Sequence, residues 1–256
     1  MKTFFGALLT VYRDTWRYAR ALPLVFAAMI AVEFTQHLIE LHLGFFAASD
    51  TVRAAAGTAP LRAVFGCFKM LSIFAVGFFA IRYYATGDAA FARSPDRAAI
   101  KVFAPVLLVE MLLFGIVFAA VLGITDKHIS QLVTSVAGIG QILLEPLLFA
   151  WYVSAALGGQ DPGPLGSAKR VGWYFLWGAL LTLLARIPFN FAHAGLHIWA
   201  RGHSDAVVLA AMALDAVVVG FLAGLLGAIQ YRVADHVARV RSQPVAGGAD
   251  ALAVGA

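Results

Sequence analysis

The chain has 256 residues, of which 61% are hydrophobic and 13% are charged, and its mean hydropathy is +0.83. Soluble domains carry charged residues at about a quarter of their positions, so this composition excludes a soluble protein. The net charge of +5 does not indicate a nucleic-acid partner, because basic residues in a membrane protein set its orientation and contact anionic lipid headgroups. The lone cysteine, Cys67, excludes an intrachain disulfide.

Long apolar runs predict an all-α, polytopic membrane helix bundle with six transmembrane helices and an N-terminal interfacial amphipathic helix. The spans are expected at roughly 21–46, 61–84, 102–124, 131–157, 172–199 and 206–231. We divide the chain into the interfacial helix 1–20, the bundle 21–241 and a disordered tail 242–256, which is rich in Ala and Gly. The last span is expected to continue as a polar helix to about Arg241.

The first segment has an amphipathic helical pattern. Phe5, Tyr12 and Trp16 recur at helical spacing, and Arg13 and Arg17 lie elsewhere on the helix surface. This pattern predicts a helix on the cytoplasmic face of the membrane. The alternative is a signal peptide, but its basic region would be unusually long and no cleavage site follows.

Prolines interrupt several spans. Pro23 suits the first turn of the first span. Pro105, Pro146 and Pro188 lie deeper within their spans, and we expect kinks or breaks there.

Lysine and arginine are distributed unequally between the two sides of the predicted bundle. Thirteen fall on one side: Lys2, Arg13, Arg17, Arg20, Arg82, Arg93, Arg97, Lys101, Lys169, Arg170, Arg232, Arg239 and Arg241. Four fall on the other: Arg53, Arg62, Lys127 and Arg201. This asymmetry predicts a multi-pass protein of the bacterial inner membrane with both termini in the cytoplasm.

Two polar stripes lie within the apolar spans. The first span carries Glu33, His37 and Glu40 within about 60° of one another on a helix, with Gln36 beside them. The fifth span carries a second stripe, formed by Arg186, Asn190, His193 and His197. Threading the spans through the bilayer places most of these groups in its outer half, and it places Glu110 and Glu145 in the middle or inner half.

Several separate charges facing lipid would each cost about 2.5–3.5 kcal/mol, so the polar faces are expected to meet. The sequence predicts a polar cavity in the outer half, lined by Glu33, Gln36, His37, Glu40, Lys69, Arg186, Asn190, His193, His197 and Asp215. In this interpretation the carboxylates of Glu33, Glu40 and Asp215 meet Lys69 and Arg186, and the histidines or a bound cation complete the charge balance. The alternative is that the same groups form structural ion pairs only.

The histidines raise the question of a metal. His193 and His197 are four residues apart and can bind one ion, with His37 and Glu40 as further ligands from the facing helix. No cofactor motif is present, and Zn²⁺ or another divalent metal is the candidate that the residue types favour. Haem held by His37 and a histidine of the fifth span is a further alternative.

Other patterns have simpler explanations. Gly220, Gly224 and Gly227 form a small-residue seam on the sixth span, which favours close helix packing or a membrane-protein partner. The basic loop 93–101 and Lys169-Arg170 can bind anionic headgroups at the cytoplasmic face or fix the topology alone. No phosphate-binding loop or nucleophile elbow is present.

Three stretches carry a family resemblance: Val11-Tyr-Arg-Asp-Thr-Trp16, Ala85-Thr-Gly-Asp88 with Val102-Phe-Ala-Pro105, and Gly166-Ser-Ala-Lys-Arg-Val-Gly-Trp173. With their surroundings they cover about a third of the chain. They resemble YciC-type bacterial inner-membrane proteins and the related membrane domain of glycerophosphoryl-diester-phosphodiesterase-like proteins. The resemblance implies six spans with cytoplasmic termini, and it carries over no catalytic residue. The two polar stripes lie outside it.

Three functional hypotheses follow. The first is a non-enzymatic membrane protein whose polar cavity serves solute, ion or lipid handling, or an accessory subunit. The second is a metal-dependent membrane hydrolase that uses His193 and His197 with His37 and Glu33 or Glu40. The third is a scaffold that binds a second membrane protein, or another copy of the chain, through the glycine seam.

Overall fold

The computed structural model describes residues 2–124, 126–159 and 163–241, and within these residues the chain forms helices and short connections with no strand. Six helical segments are long and apolar enough to cross a membrane. The prediction of an all-α polytopic bundle is therefore confirmed.

Eleven helices follow one another along the described residues. They are α1 (Lys2–Ala21), α2 (Pro23–His42), α3 (Asp50–Gly57), α4 (Pro60–Thr86), α5 (Ala89–Arg93), α6 (Arg97–Gly123), α7 (Lys127–Leu144), α8 (Phe149–Ala156), α9 (Gly163–Val171), α10 (Phe175–Ala200) and α11 (Asp205–Val240). A 3₁₀ turn, Glu145–Leu148, joins α7 to α8. At about 1.5 Å per residue, α11 is longer than a bilayer is thick and extends beyond it.

The short helices α3, α5 and α9 lie in segments where the sequence predicted loops. Side-chain caps explain the first two. The Ser49 hydroxyl accepts a hydrogen bond from the backbone N–H of Val52, and the Asp88 carboxylate accepts one from Ala90. The expected polar extension of the last span is present, since α11 runs to Val240. The predicted disordered tail, 242–256, lies outside the described residues.

Only one of the three deep prolines interrupts its span. The helix around Pro146 changes to a 3₁₀ turn, because proline has no N–H to donate and its ring crowds the preceding turn. The turn is packed closely, and a Cβ on Gly178 would lie 3.0 Å from the Cβ of Pro146. In contrast, α6 and α10 continue as α-helices through Pro105 and Pro188, so of the expected kinks or breaks a break is absent there.

The small-residue seam of α11 packs inside the bundle. A Cβ on Gly220 would meet Phe26 and Ile30 of α2, and one on Gly224 would lie 2.7 Å from the Tyr18 ring of α1. Gly227 faces Ala80 of α4 in the same way. Because three neighbouring helices cover these glycines, the seam is not available as the docking face that a scaffold would need.

Contacts near the helix ends and between loops define two ends of the bundle. At the end that carries most of the lysines and arginines, called the basic end below, Arg232 Nε donates to Asp14 Oδ2 at 2.8 Å and Arg82 Nη1 donates to the Ala156 carbonyl at 2.9 Å. At the opposite end, the backbone N–H of Gly202 donates to the Phe46 carbonyl at 2.8 Å. Successive spans thus alternate in direction, as the threading assumed.

Helix α1 is packed along the bundle on one face. Val11 and Tyr18 are fully buried, while Phe5, Leu9 and Trp16 are exposed. An apolar exposed face on a helix with a basic surface is what an interfacial helix requires. Its position relative to the membrane stays a prediction.

We expect Gly227→Ala to destabilise the bundle. The new Cβ would lie 2.8 Å from the Ala80 Cβ and 3.3 Å from the Gly77 carbonyl oxygen, neither of which can rotate away. Such overpacking costs about 1–3 kcal/mol, and the better helix propensity of Ala returns about 0.5–1 kcal/mol. The thermal unfolding midpoint in detergent should fall. Gly115→Ala is the control, because nothing lies within 4 Å of its Cβ position, and equal midpoints for the two variants would contradict the packing.

Candidate metal centre

The first polar stripe forms the buried face of α2. Glu33, Gln36, His37 and Glu40 recur at helical spacing, so all four project to the side that packs against α4 and α11. Glu33 and Glu40 are fully buried and His37 is 1% exposed. A segment of membrane-spanning hydropathy therefore turns its charged residues inward, where other helices must supply their partners.

Asp215 of α11 is the residue on which the site converges. Its fully buried carboxylate contacts three imidazoles. His37 Nε2 lies 2.9 Å and His197 Nε2 3.2 Å from Asp215 Oδ2, and His193 Nδ1 lies 2.8 Å from both oxygens. Histidines from α2 and α10 thus surround one acid of the central helix.

The other two acids each have a basic partner. Lys69 Nζ of α4 donates to Glu33 Oε1 at 2.6 Å, and Arg62 Nε of the same helix donates to Glu40 Oε1 at 2.8 Å. Gln36 Nε2 adds a contact of 3.3 Å to Glu40. Asp215 is therefore the acid of this cluster whose partners are imidazoles alone.

The sequence analysis missed Arg62 as a site residue and counted it only as a loop charge. Its position contains a usable signal, because it precedes Lys69 by seven residues. A seven-residue separation returns to nearly the same face of a helix, so these two basic side chains of α4 face the acids of α2. The exposed fraction of the Arg62 side chain is 27% and its guanidinium carbon lies 4.5 Å above the Phe45 ring.

His37 has a carboxylate at each ring nitrogen. Nδ1 lies 3.0 Å from Glu40 Oε2, while Nε2 lies near Asp215 and 3.3 Å from Glu33 Oε1. Ionised carboxylates only accept hydrogen bonds, and a neutral imidazole donates from one nitrogen only. Both nitrogens of His37 can face carboxylates only if the ring carries a second proton or if a cation lies between Nε2 and the acids.

The charge balance leads to the same two alternatives. Three acids, Glu33, Glu40 and Asp215, face two permanently positive groups, Lys69 and Arg62. One positive charge is missing while all histidines are neutral. A proton on His37 supplies it, and so does a bound metal ion.

The ligand atoms are close enough to hold a metal. Three overlapping sets have donor atoms within 4.8 Å of one another: His37 with Glu40 and His197, His193 with His197 and Asp215, and Glu33 with His37 and Asp215. A tetrahedral zinc site with bonds of about 2.0–2.1 Å has ligand atoms roughly 3.3–3.4 Å apart. The histidine nitrogens lie 2.8–3.2 Å from the Asp215 oxygens, so each of these histidine–aspartate pairs would open slightly to hold such an ion.

Two predicted cavity residues do not join the cluster. Arg186 is two helical turns from His193, about 10 Å nearer the basic end, where it lines a different cavity with Glu110 and Glu145. Asn190 is exposed on the surface of α10. The expectation that Arg186 neutralises the outer acids is thus corrected, since Arg62 takes that position. Lys69, Asp215 and the remaining predicted residues come together.

The geometry leaves no room for haem between the histidines. The rings of His37 and His197 lie 5.1 Å apart, and both Nε2 atoms face the same oxygen of Asp215. A porphyrin would have to separate them and displace the carboxylate. Of the three histidines, His193 has the most exposed side chain, at 31%, so it lies at the edge of the cluster.

The fold and this buried cluster define an integral, multi-pass membrane protein with a His/carboxylate site among α2, α4, α10 and α11. The chain matches no family model, no curated protein and no solved structure. The resemblance to YciC-type proteins therefore stays a prediction.

We expect Lys69→Met to destabilise the protein by about 3–5 kcal/mol, because it leaves the buried Glu33 without its ammonium partner. The double variant Lys69→Met/Glu33→Gln should recover most of this loss, since it removes both charges. Thermal unfolding in detergent measures all three proteins.

The matched control is Lys101→Met, which removes an exposed lysine of α6 and should change stability by less than about 0.5 kcal/mol. Equal effects of Lys69→Met and Lys101→Met would show that the Lys69–Glu33 contact does not stabilise the bundle.

Proposed function

We propose that this protein is a membrane-embedded metal-binding protein that holds one divalent transition-metal ion through His37, His193, His197 and Asp215. The convergence of three imidazoles on one buried carboxylate that lacks a permanently charged partner carries this proposal. It develops the cavity hypothesis, since ion handling becomes the role of the cavity. It also retains the histidine pair of the metal hypothesis.

The donor set favours zinc or a chemically similar ion. Neutral imidazole and carboxylate are common zinc ligands. His193, His197 and Asp215 already lie within reach of one ion, and His37, on the other side of Asp215, would complete a tetrahedral set. Thiolate-preferring ions are less suited, because the lone cysteine, Cys67, is outside the ligand sets found among the described residues.

The surroundings of His37 resemble the outer shell of known metal sites. Its Nδ1 faces Glu40, which would accept the ring proton and direct Nε2 toward the ion. Arg62 and Gln36 in turn hold Glu40. In this arrangement Glu40 orients a ligand, and Lys69 keeps Glu33 ionised beside the ion.

Hydrolysis is the second candidate function, and one observation favours it. Glu33 Oε2 is buried and has no hydrogen-bond partner among the described residues, although Oε1 of the same group is held by Lys69. A carboxylate oxygen next to a metal-bound water is the arrangement of a general base. Catalytic zinc sites keep one position open for water, so in this candidate His193, His197 and Asp215 alone would hold the ion and Glu33 would serve as the general base for the water.

Orientation and location complete the proposal. Thirteen lysines and arginines at the basic end against four at the opposite end support cytoplasmic termini in a bacterial inner membrane, with anionic headgroups contacting the basic end.

Cysteine labelling tests this orientation. In a Cys67→Ser background, an impermeant maleimide applied to intact cells should label Thr51→Cys, in α3, but not Leu165→Cys, in α9 at the basic end. The reverse pattern would invert the topology.

The metal proposal predicts about one bound zinc per chain. The protein is purified without a histidine tag, incubated with a zinc salt and passed over a desalting column to remove unbound zinc. Elemental analysis measures the stoichiometry. His193→Ala and His197→Ala should each weaken binding by more than about tenfold, because even residues that only orient a ligand contribute 10–100-fold.

The control is His42→Ala, which removes an exposed histidine five residues from His37 on the same helix and should retain the metal. A wild-type protein without stoichiometric metal would leave a protonated ion cluster as the better explanation of the site.

The same preparation tests hydrolysis. Glu33→Gln should keep the metal and lose nitrophenyl-ester cleavage by about 10²–10⁴-fold, because the general base is removed. Unchanged cleavage would remove Glu33 as the base.

A further inference from the structure

A second polar cavity lies nearer the basic end than the metal site. Its volume is about 130 Å³, and helices α4, α6, α7, α8, α10 and α11 contribute to its wall. The polar groups that line it are Glu110, Gln141, Glu145, Tyr152, Arg186 and Gln230. The side that α4 supplies is apolar, with Met70, Ile73 and Phe74.

The acids of this cavity outnumber its bases. Glu110 and Glu145 are both more than nine-tenths buried, and Arg186 is the only permanent cation among the described residues that line the cavity. Two ionised carboxylates would therefore leave one uncompensated negative charge inside a membrane bundle, which is unfavourable.

Unused hydrogen-bonding groups point into the same space. The Tyr152 hydroxyl is buried, with the residue 2% exposed, and it has no partner among the described residues. The Arg186 Nε is likewise without one. The hydrogen bond described for the two glutamates is long and therefore weak, since Gln230 Nε2 lies 3.5 Å from Glu145 Oε1. These groups can solvate a carboxyl pair in either charge state, directly or through water.

The α-helix is interrupted by a 3₁₀ turn at this site. Glu145 begins the 3₁₀ turn between α7 and α8, and Pro146 cannot donate to the carbonyl one turn before it. Interrupted helices within a membrane are tolerated where they line a protein cavity, and they commonly accompany ion sites. The break therefore coincides with one of the two buried acids.

We propose that Glu110 and Glu145 form a proton-binding site, in which the pair holds one proton while Arg186 balances the remaining carboxylate. The proton bonds to a carboxyl oxygen of one residue, and the hydroxyl so formed donates to a neighbouring acceptor in the cavity. The site exchanges this proton with water. It is separate from the metal centre, shares no residue with it and does not depend on it.

A proton suits the cavity better than a sodium ion. Sodium requires several oxygen ligands and would be repelled by the guanidinium of Arg186 in the same space. A proton needs one carboxylate oxygen and an acceptor for the resulting hydrogen bond. Gln141, Gln230 and the Tyr152 hydroxyl supply acceptors of that kind.

Infrared spectroscopy of the detergent-solubilised protein tests the proposal without requiring a reagent to enter the cavity. At neutral pH, the wild type should show the carbonyl stretching band of a protonated carboxylic acid, shifted in D₂O. Glu110→Gln and Glu145→Gln should each abolish it, because the remaining acid then pairs with Arg186 and ionises. Asp205→Asn, which removes an exposed acid of α11, should leave the band unchanged.

A wild-type spectrum without the band would overturn the proposal, and so would a band that survives in both variants. Replacing choline chloride with sodium chloride should not alter the band, and loss of the band in sodium would reassign the site to that ion.

If either variant fails to fold, a second experiment uses the wild type. An apolar carbodiimide adds to carboxylic acids but not to carboxylates. Mass spectrometry should locate the adduct on Glu110 or Glu145 and not on the ion-paired Glu33 or Glu40, and the opposite distribution would contradict the proposal.

Discussion

The carboxylate of Asp215 is buried in the helix that contacts most of the bundle, and its solvation determines how the neighbouring helices are arranged. An unpaired charge near the centre of a membrane costs about 2.5–3.5 kcal/mol. Three imidazoles replace water around this acid, one from α2 and two from α10. Because both helices must present these rings at one depth, the position of Asp215 constrains their rotation and register against α11.

Small residues allow that constraint to be met. Gly220 is five positions from Asp215 on α11, and its missing side chain admits Phe26 and Ile30 of α2. The close approach brings the polar face of α2 within hydrogen-bond distance of the acid. The glycine seam and the ion cluster are thus two parts of one interface, and the seam is used inside the bundle rather than for a partner.

The two polar sites differ in how their charge is balanced. At the candidate metal centre, Lys69 and Arg62 of α4 pair with two acids of α2, and the histidines complete the site around the third acid. In the second cavity, Arg186 faces two glutamates, and no histidine lines the wall among the described residues. Helix α10 contributes to both sites, through residues two turns apart. The first site therefore has the ligands for a metal, whereas the second has the acids for a proton.

The sequence by itself determined the class of the protein, the six spans and the inward face of α2. These features depend on hydropathy and on the 100° step between helical residues, which are local properties. It also placed His37, His193, His197 and Asp215 at a shared depth, because alternating span directions fix depth from residue number. The interruption at Pro146 was expected for the same local reason, although Pro105 and Pro188 show that proline alone does not decide it.

Only the tertiary structure decided which groups meet. The sequence paired Arg186 with the acids of the outer half, but its distance along α10 takes it to Glu110 and Glu145 instead. Arg62 occupies the expected place, and Asn190 is rotated to the surface. Such pairings depend on how each helix turns about its axis and on which helices, remote in the chain, become its neighbours. Hydropathy cannot determine either, because it is unchanged when a helix rotates or packs against a different neighbour.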